Sequence, residues 1–424
     1  MQAIRPVKGT RDFYPEDMAF RQWLYARIRE ASERFGYQEF DGPFLERLDL
    51  YTAKSGEELV TEQSFVFEDR GGEMVALRPE LTPSLARMVA KRSKSLARPI
   101  RWWSFGPFWR YERPQRGRSR EFFQWNLDLL GVESPEADAE VVAAGAELLR
   151  GLGLSPQAVR ILVNDRRLAE SQLDEIGIGF ERRALTFRLI DRRERMSAAK
   201  WADWSRKEGL SQNELDAVQG LLDDRDAWRK WDPLIRFFAA AESLGISEYV
   251  AYDPTVIRGL DYYTGTVFEA RDSSRRFRAI FGGGRHDDLV SAMGGDAISG
   301  AGFAMGDVVI RLVLEEHDAA PALDSRPAQV LLTTFDEASL MSTLRLATEL
   351  RRSGLAVEWY PAADNLAKQL RYANRVGARV AVILGPDEIG AGRVAIRDLK
   401  SGEQCSVARG EAAAYAKRLV EAPA

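Results

Sequence analysis

Residues 102–131, WWSFGPFWRYERPQRGRSREFFQWNLDLLG, constrain the fold more than any other stretch of this chain. Two aromatic-rich segments flank a loop, RPQRGRSR, that is too polar and too positive to be packed. The segments read as two strands of a sheet. Strand side chains repeat with a period of two, so Arg110 and Glu112 fall on one side, and Phe122, Gln124, Asn126 and Asp128 share a face. Unpaired polar groups are costly to bury. A sheet face holding arginine, glutamate, glutamine and aspartate beneath a basic loop therefore reads as the floor of a pocket. The competing reading is a solvent-facing sheet laced with cross-strand ion pairs.

Around that hairpin the chain is too long for a single core: 424 residues imply two or three domains. The segment RQWLYARIREASERFGYQEF has Trp23, Leu24, Ile28 and Phe35 at helical spacing and a natural stop at Gly36. Up to about residue 163, short strands alternate with helices such as TPSLARMVAKRSKSLA and EADAEVVAAGAELLRGLG, without a strict βαβ rhythm. The fold class is therefore α+β, with an antiparallel or mixed sheet. Residues 164–242 are dense in charge and helix formers and read as an inserted helical subdomain within a domain of 1–163 and 243–318. Its stretch DRRERMSAAKWADWSRK interleaves basic residues with Trp201 and Trp204, and two readings stand: an RNA-facing surface or a solvated helical face. The run HDAAPALDSRPA reads as a linker. Beyond it, continuous apolar strands alternate with amphipathic helices over 327–424, the pattern of a small, mostly parallel α/β domain with a terminal hairpin near LKSGEQ.

Composition narrows the chemistry. Apolar residues at 45% with 29% charged residues describe a globular chain, and no eighteen-residue apolar run or signal-peptide pattern occurs, so the expectation is a cytoplasmic protein with no membrane partner. One cysteine, Cys405, excludes an internal disulfide; with only His286 and His317 beside it, a structural zinc site of the usual kind cannot be assembled. Carboxylates, arginines and a hard cation are left to do the work. A net charge of −4 argues against indiscriminate nucleic-acid binding but leaves room for local basic patches.

A second stretch, RGLDYYTGTVFEA at 258–270, puts an arginine, an aspartate and two adjacent tyrosines at the head of a strand, with Gly259 and Gly265 leaving room for close approach. Taken alone, the segment reads as an aromatic strand with an exposed arginine at its end rather than as a site.

Together these stretches resemble a known family. FWRYER, the basic loop and EFFQ resemble motif 2 of class II aminoacyl-tRNA synthetases, whose arginine grips the α-phosphate of ATP. LRPELTPSLAR resembles the amino-acid-binding loop of histidyl-tRNA synthetases, RGLDYYTGTVFE their first histidine-specific signature and GGGRHDDL their second. VKGTRDFYPED and the dimer-forming motif around Pro43 and Glu46 also fit, so the likeness runs from near residue 7 to the end. The resemblance implies ATP-dependent activation of L-histidine and its transfer to tRNA(His), by a homodimer and with Mg2+ on the phosphates. Arg110 and Arg258 would face each other across the α-phosphate. Glu80, Thr82 and Gln124 would hold the α-amino group, and Asp128 with Tyr262 and Tyr263 the imidazole. Phe122 would stack on adenine and Glu112 accept its amine. Arg118, with Arg113, Arg116 and Arg120, would meet pyrophosphate or the tRNA acceptor end. The metal ligands are not specified.

Three departures stand out. Asp128 occupies a position where the family usually has glutamate, one methylene longer. His286 stands where tyrosine is usual and reads as a packing substitute, since an isolated histidine has no nucleophile to serve. In GFAMGDVVIRLVLEE, Val309 takes the place of an adenine-stacking arginine; Arg311, two helical residues on and roughly 200° around the axis, faces away and cannot replace it. The GDVV form and QWNLDLLG resemble an archaeal-like branch of the family. A rival is the synthetase-like regulatory subunit of ATP phosphoribosyltransferase, a binding protein that typically lacks the terminal domain. A dinucleotide-binding oxidoreductase, prompted by GAGFAMG, fails for want of a preceding apolar strand and a following acidic residue.

Overall fold

In a computed structural model of the chain, residues 4–52, 63–193, 196–257, 263–287 and 289–422 are described. They form two compact units, one of residues up to Asp12 together with Arg21–Pro321, the other of Phe13–Phe20 together with Ala322 onward.

The first unit is organised by an eight-stranded sheet. Its strands are β1 (Gln38–Glu39), β5 (Ile100–Trp109), β6 (Glu121–Leu130), β7 (Val159–Asp165), β8 (Val250–Tyr252), β9 (Thr266–Asp272), β10 (Phe281–His286) and β11 (Gly300–Gly306). The remaining three, β2 (Leu45–Arg47), β3 (Phe65–Glu68) and β4 (Met74–Leu77), make a separate small antiparallel sheet. The large sheet runs β1-β5-β6-β11-β10-β9-β7-β8, antiparallel throughout except for the parallel outermost pairs. Such a sheet needs no crossover helix between neighbours, which is why the sequence lacks a βαβ rhythm.

Register assigns the two faces opposite jobs. Trp103, Leu127, Phe303 and Phe268 lie in one line across the strands, with Phe105, Trp125, Met305 and Phe281 in the next. These form the core: the Trp125 and Phe303 rings meet edge-on with centroids 4.7 Å apart. Helix Pro135–Gly151 covers this face, started by Ser134, whose hydroxyl accepts from the Ala137 amide, with proline in its first turn. At Gly145 a Cβ would lie 2.7 Å from the Phe281 ring, so only glycine lets the helix come this close. Helix Pro15–Arg34 buries Leu24 and Ile28 and ends before Gly36, whose φ of +76° lies in the left-handed region.

Between β7 and β8 the chain is helical: Arg166–Glu175, Phe180–Arg193, Ala198–Lys207, Gln212–Asp223 and Asp232–Ser243. Leu173, Phe187, Trp201, Leu215, Val218 and Leu222 make a core of their own. Trp201 is 2% exposed and its indole N–H donates to Leu189 O at 2.7 Å, so it cannot stack on a base; the reading of this helix as presenting two indoles to RNA is corrected. Trp204 is half-buried, with its N–H on Glu208 at 3.1 Å. Trp201→Ala is expected to destabilise this helical cluster by about 3 kcal/mol, seen as a lower urea midpoint.

The second unit carries β12 (Val330–Leu332), β13 (Val357–Trp359), β14 (Val380–Ile383), β15 (Arg393–Asp398) and β16 (Gln404–Ala408) in the order β13-β12-β14-β15-β16. The first three are parallel, and β15 and β16 form the antiparallel hairpin around LKSGEQ. Helices Glu337–Arg352 and Ala412–Glu421 pack Leu346, Leu350, Ala412 and Ala416 against the apolar strands. No helix among the described residues is long and apolar enough to cross a membrane.

Candidate active site

The other face of the large sheet is paved with glycine. One line across the strands reads Trp102, Asp128, Gly302, Gly284, Val267; the next reads Ser104, Asn126, Ala304, Gly282, Glu269. Gly106, Gln124 and Gly306 are likewise aligned, as are Leu130, Gly300 and His286. Directly opposed residues in antiparallel strands point to the same side. Glycines therefore remove the side chains from the middle of this face while β6 supplies Phe122, Gln124, Asn126 and Asp128, in the alternation expected from the sequence.

Two of these glycines are pressed by the groups they make room for. A Cβ on Gly302 would lie 2.3 Å from Asp128 Oδ1, and one on Gly284 would lie 2.9 Å from the Tyr263 ring and 2.5 Å from Thr266 O. Since Gly284 and Gly302 are register partners, the phenol ring and the carboxylate stand over adjoining strands on the same face. Above Gly306 there is open space. Asp128 is 6% exposed; burial pushes its carboxyl above the ordinary range, and His286 opposes that, with Nε2 3.7 Å from Oδ1. His286, 3% exposed, is packed as expected, yet its neighbour is the carboxylate expected to read the substrate.

Arg110 lies one residue beyond β5, which ends at Trp109. Its amide still bonds Arg120 O at 2.9 Å, prolonging the ladder, but the Glu112 amide turns back onto Arg110 O at 2.7 Å, so Glu112 leaves the strand rather than following its period. The Arg110 guanidinium is anchored by Nε on Pro79 O at 2.9 Å and lies 5.3 Å from the centre of the Phe122 ring. Burial lowers its pKa and the charge of Glu80 raises it, which places Glu80 beside Arg110. Glu80 and Thr82 precede and begin helix Thr82–Arg92, whose N-cap, Leu81, supplies no side-chain cap. Arg110, Glu80, Phe122, Gln124, Asp128 and Tyr263 are thus brought to one face and its rim. Arg258 and Tyr262 lie outside the described residues.

The basic loop folds back on itself, with Gln115 and Arg118 exchanging backbone hydrogen bonds around Gly117. Arg118 pairs with Glu112, Arg116 lies 5.2 Å from the Phe277 ring and Arg120 4.0 Å from the Tyr111 ring. Gly117 sits against Val309: a Cβ there would be 3.7 Å from Val309 Cγ2. Val309 is buried in helix Asp307–Glu316, while Arg311 points outward to Glu315 at 3.1 Å, as the helical rotation required. Asp307, missed in the sequence, takes the Phe123 amide and Arg11 Nη2, both at 2.9 Å, tying this helix to β6 and to the GTRD segment. An acidic residue after GFAMG, in the first turn of a helix, was the available signal.

One recess elsewhere in this unit, lined by Leu173, Phe187, Val218, Leu222 and Ile257, offers no charged group.

Solved structures share this architecture. The histidyl-tRNA synthetase of Nostoc sp. PCC 7120 superposes with a TM-score of 0.82 over 99% of both chains at 24% identity. The fold is thus that of a class II aminoacyl-tRNA synthetase with an anticodon-binding domain. Residues 9–307 match the family model described as histidyl-tRNA synthetase, and residues 329–419 the anticodon binding domain. The chloroplastic/mitochondrial histidine–tRNA ligase of Arabidopsis thaliana is 38% identical over 95% of this chain and 85% of its own length. The histidine–tRNA ligase of the archaeon Halobacterium salinarum is 38% identical over 94% of each. The chain belongs to the histidyl-tRNA synthetase family, with archaeal members among its relatives, as the motifs indicated.

Proposed function

We propose that this chain, a ligase of the histidine-specific class II family, condenses L-histidine with ATP on the glycine-paved face and then passes the histidyl group to tRNA(His). The observation that carries this reading is the placement of Arg110, Gln124, Asp128 and Tyr263 around a floor from which side chains have been removed. In-line attack of a carboxylate on the α-phosphorus needs no protein nucleophile; positioning and charge neutralisation suffice. Arg110 and Arg258 neutralise the α-phosphate as charge develops there. Glu80, Thr82 and Gln124 accept from the substrate ammonium. Asp128 takes one imidazole nitrogen and Tyr263, with Tyr262 beside it, the other, since a ring with two distinct nitrogens is best fixed from both sides. Phe122 stacks on adenine. Glu112 meets the adenine amine once ATP draws Arg118 away to the pyrophosphate. Mg2+ would be bound through the phosphates of ATP and would help to neutralise their charge.

The catalytic domain of this reading comprises residues 1–163 and 243–318. The helices of 164–242 lean on the acceptor stem, and 327–424 read the anticodon. The working form is a cytoplasmic homodimer built through the Pro43–Glu46 region, where Ser84 holds Glu46 at 2.8 Å. ATP–pyrophosphate exchange stimulated by histidine, followed by charging of tRNA(His), tests the reading; a chain that binds histidine without exchange is instead a regulatory relative. Deleting residues 327–424 is expected to preserve exchange and impair charging, and equal charging by the truncated protein would contradict the assignment of that domain.

A further inference from the structure

The segment that delivers Tyr263 to the glycine floor is held from behind by a residue with no part in the chemistry above. Asp287 follows β10, and its two carboxylate oxygens accept from two different stretches of chain: Oδ2 from the Thr264 hydroxyl and Oδ1 from the Ser299 hydroxyl, each at 2.5 Å. The Thr264 amide donates to Arg285 O at 2.8 Å, a second tie one residue from Tyr263. Ser299 in turn accepts from Arg285 Nη1. Arg285 is locked: its side chain and that of Asp138 are 3% and 2% exposed, Nη2 meets Asp138 Oδ1 at 2.5 Å and Nε meets Oδ2 at 3.2 Å, and Nη1 also donates to Val132 O at 3.0 Å. A buried cation held on all sides cannot swing away. The chain Asp138–Arg285–Ser299–Asp287–Thr264 thus runs from the helix that backs the sheet to the residue beside Tyr263, each bond polarising the next. Burial opposes ionisation of Asp287, but the Ser299 and Thr264 hydroxyls and the Arg285 charge outweigh it and hold the carboxyl below its ordinary range, so it is an anion at neutral pH.

We infer that Asp287 is a positioning residue for histidine recognition, acting through Thr264 to hold the Tyr263 ring over Gly284. The inference rests on the reading of Tyr263 as an imidazole partner. Asp287 touches neither substrate in this scheme, so its removal loosens one wall of the histidine site and leaves the ATP site alone.

The test is a double-mutant cycle in the full-length protein, read by histidine-stimulated pyrophosphate exchange. Asp287→Ala and Thr264→Val are each expected to raise the histidine KM about tenfold with the ATP KM within about twofold. The double variant is expected to be no worse than the poorer single one, because the Thr264–Asp287 bond is already lost in each. Thr264→Ser, which keeps the hydroxyl, is expected to match the unaltered protein. Should Asp287→Ala fail to fold, as read by thermal unfolding, the contrast between Thr264→Val and Thr264→Ser decides. An unchanged histidine KM in the single variants, multiplying effects in the double, or equal rises in both KM values would overturn the inference. Absence of histidine-stimulated exchange in the unaltered protein would instead sink the reading on which it rests.

Discussion

Arg110→Ala is expected to cut histidine-dependent pyrophosphate exchange by roughly 10³-fold, the scale on which a single group stabilising transition-state charge acts in a site that excludes water. The side chain is not a generic cation: Nε is committed to Pro79 O at 2.9 Å and Cζ lies over the Phe122 ring, 5.3 Å from its centroid. These contacts orient its remaining N–H groups before any ligand arrives. Lysine at this position would restore the charge but neither the anchor nor the stacking, so Arg110→Lys should recover only a minor part of the rate. The effect should fall on kcat with secondary structure unchanged by circular dichroism. Exchange within tenfold of the unaltered protein would remove Arg110 from the phosphate-binding role, and the same measurement on Arg258→Ala addresses its proposed counterpart.

Asp128→Ala is expected to raise the histidine KM by roughly 10²-fold, the cost of leaving an imidazole N–H without its charged acceptor in a buried site. The carboxyl is poised for such a partner. Desolvation disfavours its ionised form while it waits, and a bound N–H donor relieves that penalty, so ligand and protein gain together. Asp128→Asn keeps the shape and loses the charge; a KM close to that of the alanine variant would show that charge, not fit, governs recognition. Equal loss of histidine and ATP binding in either variant would contradict the assignment. Nothing larger than hydrogen fits opposite this carboxylate: a Cβ on Gly302 would lie 2.3 Å from Asp128 Oδ1.

Much of this was legible in the residues themselves. Alternation along 121–130 placed Phe122, Gln124 and Asp128 on one face because a strand has a fixed period, and helix rotation alone predicted that Arg311 would turn away from the site. What stayed hidden depended on pairing between segments far apart in the chain. Gly106, Gly284 and Gly302 lie far apart in the sequence, and only register aligns them into a floor. Glu112 left its strand because the backbone turned just after Trp109, a local choice that alternation does not encode. Trp201 looked like a surface indole because an amphipathic helix in a charged stretch does not reveal which side meets a core assembled from four helices. The Asp287 chain joins four segments and leaves no spacing pattern at all.

The paving of the sheet has a design consequence. A recess walled by bulky side chains can be widened by trimming them, but a floor made of hydrogen atoms is already at its limit, and every replacement there fills it in. Attempts to make the protein accept larger heteroaromatic amino acids should therefore leave Gly284 and Gly302 untouched and recut the rim at Tyr263 and His286, where there is still volume to give away.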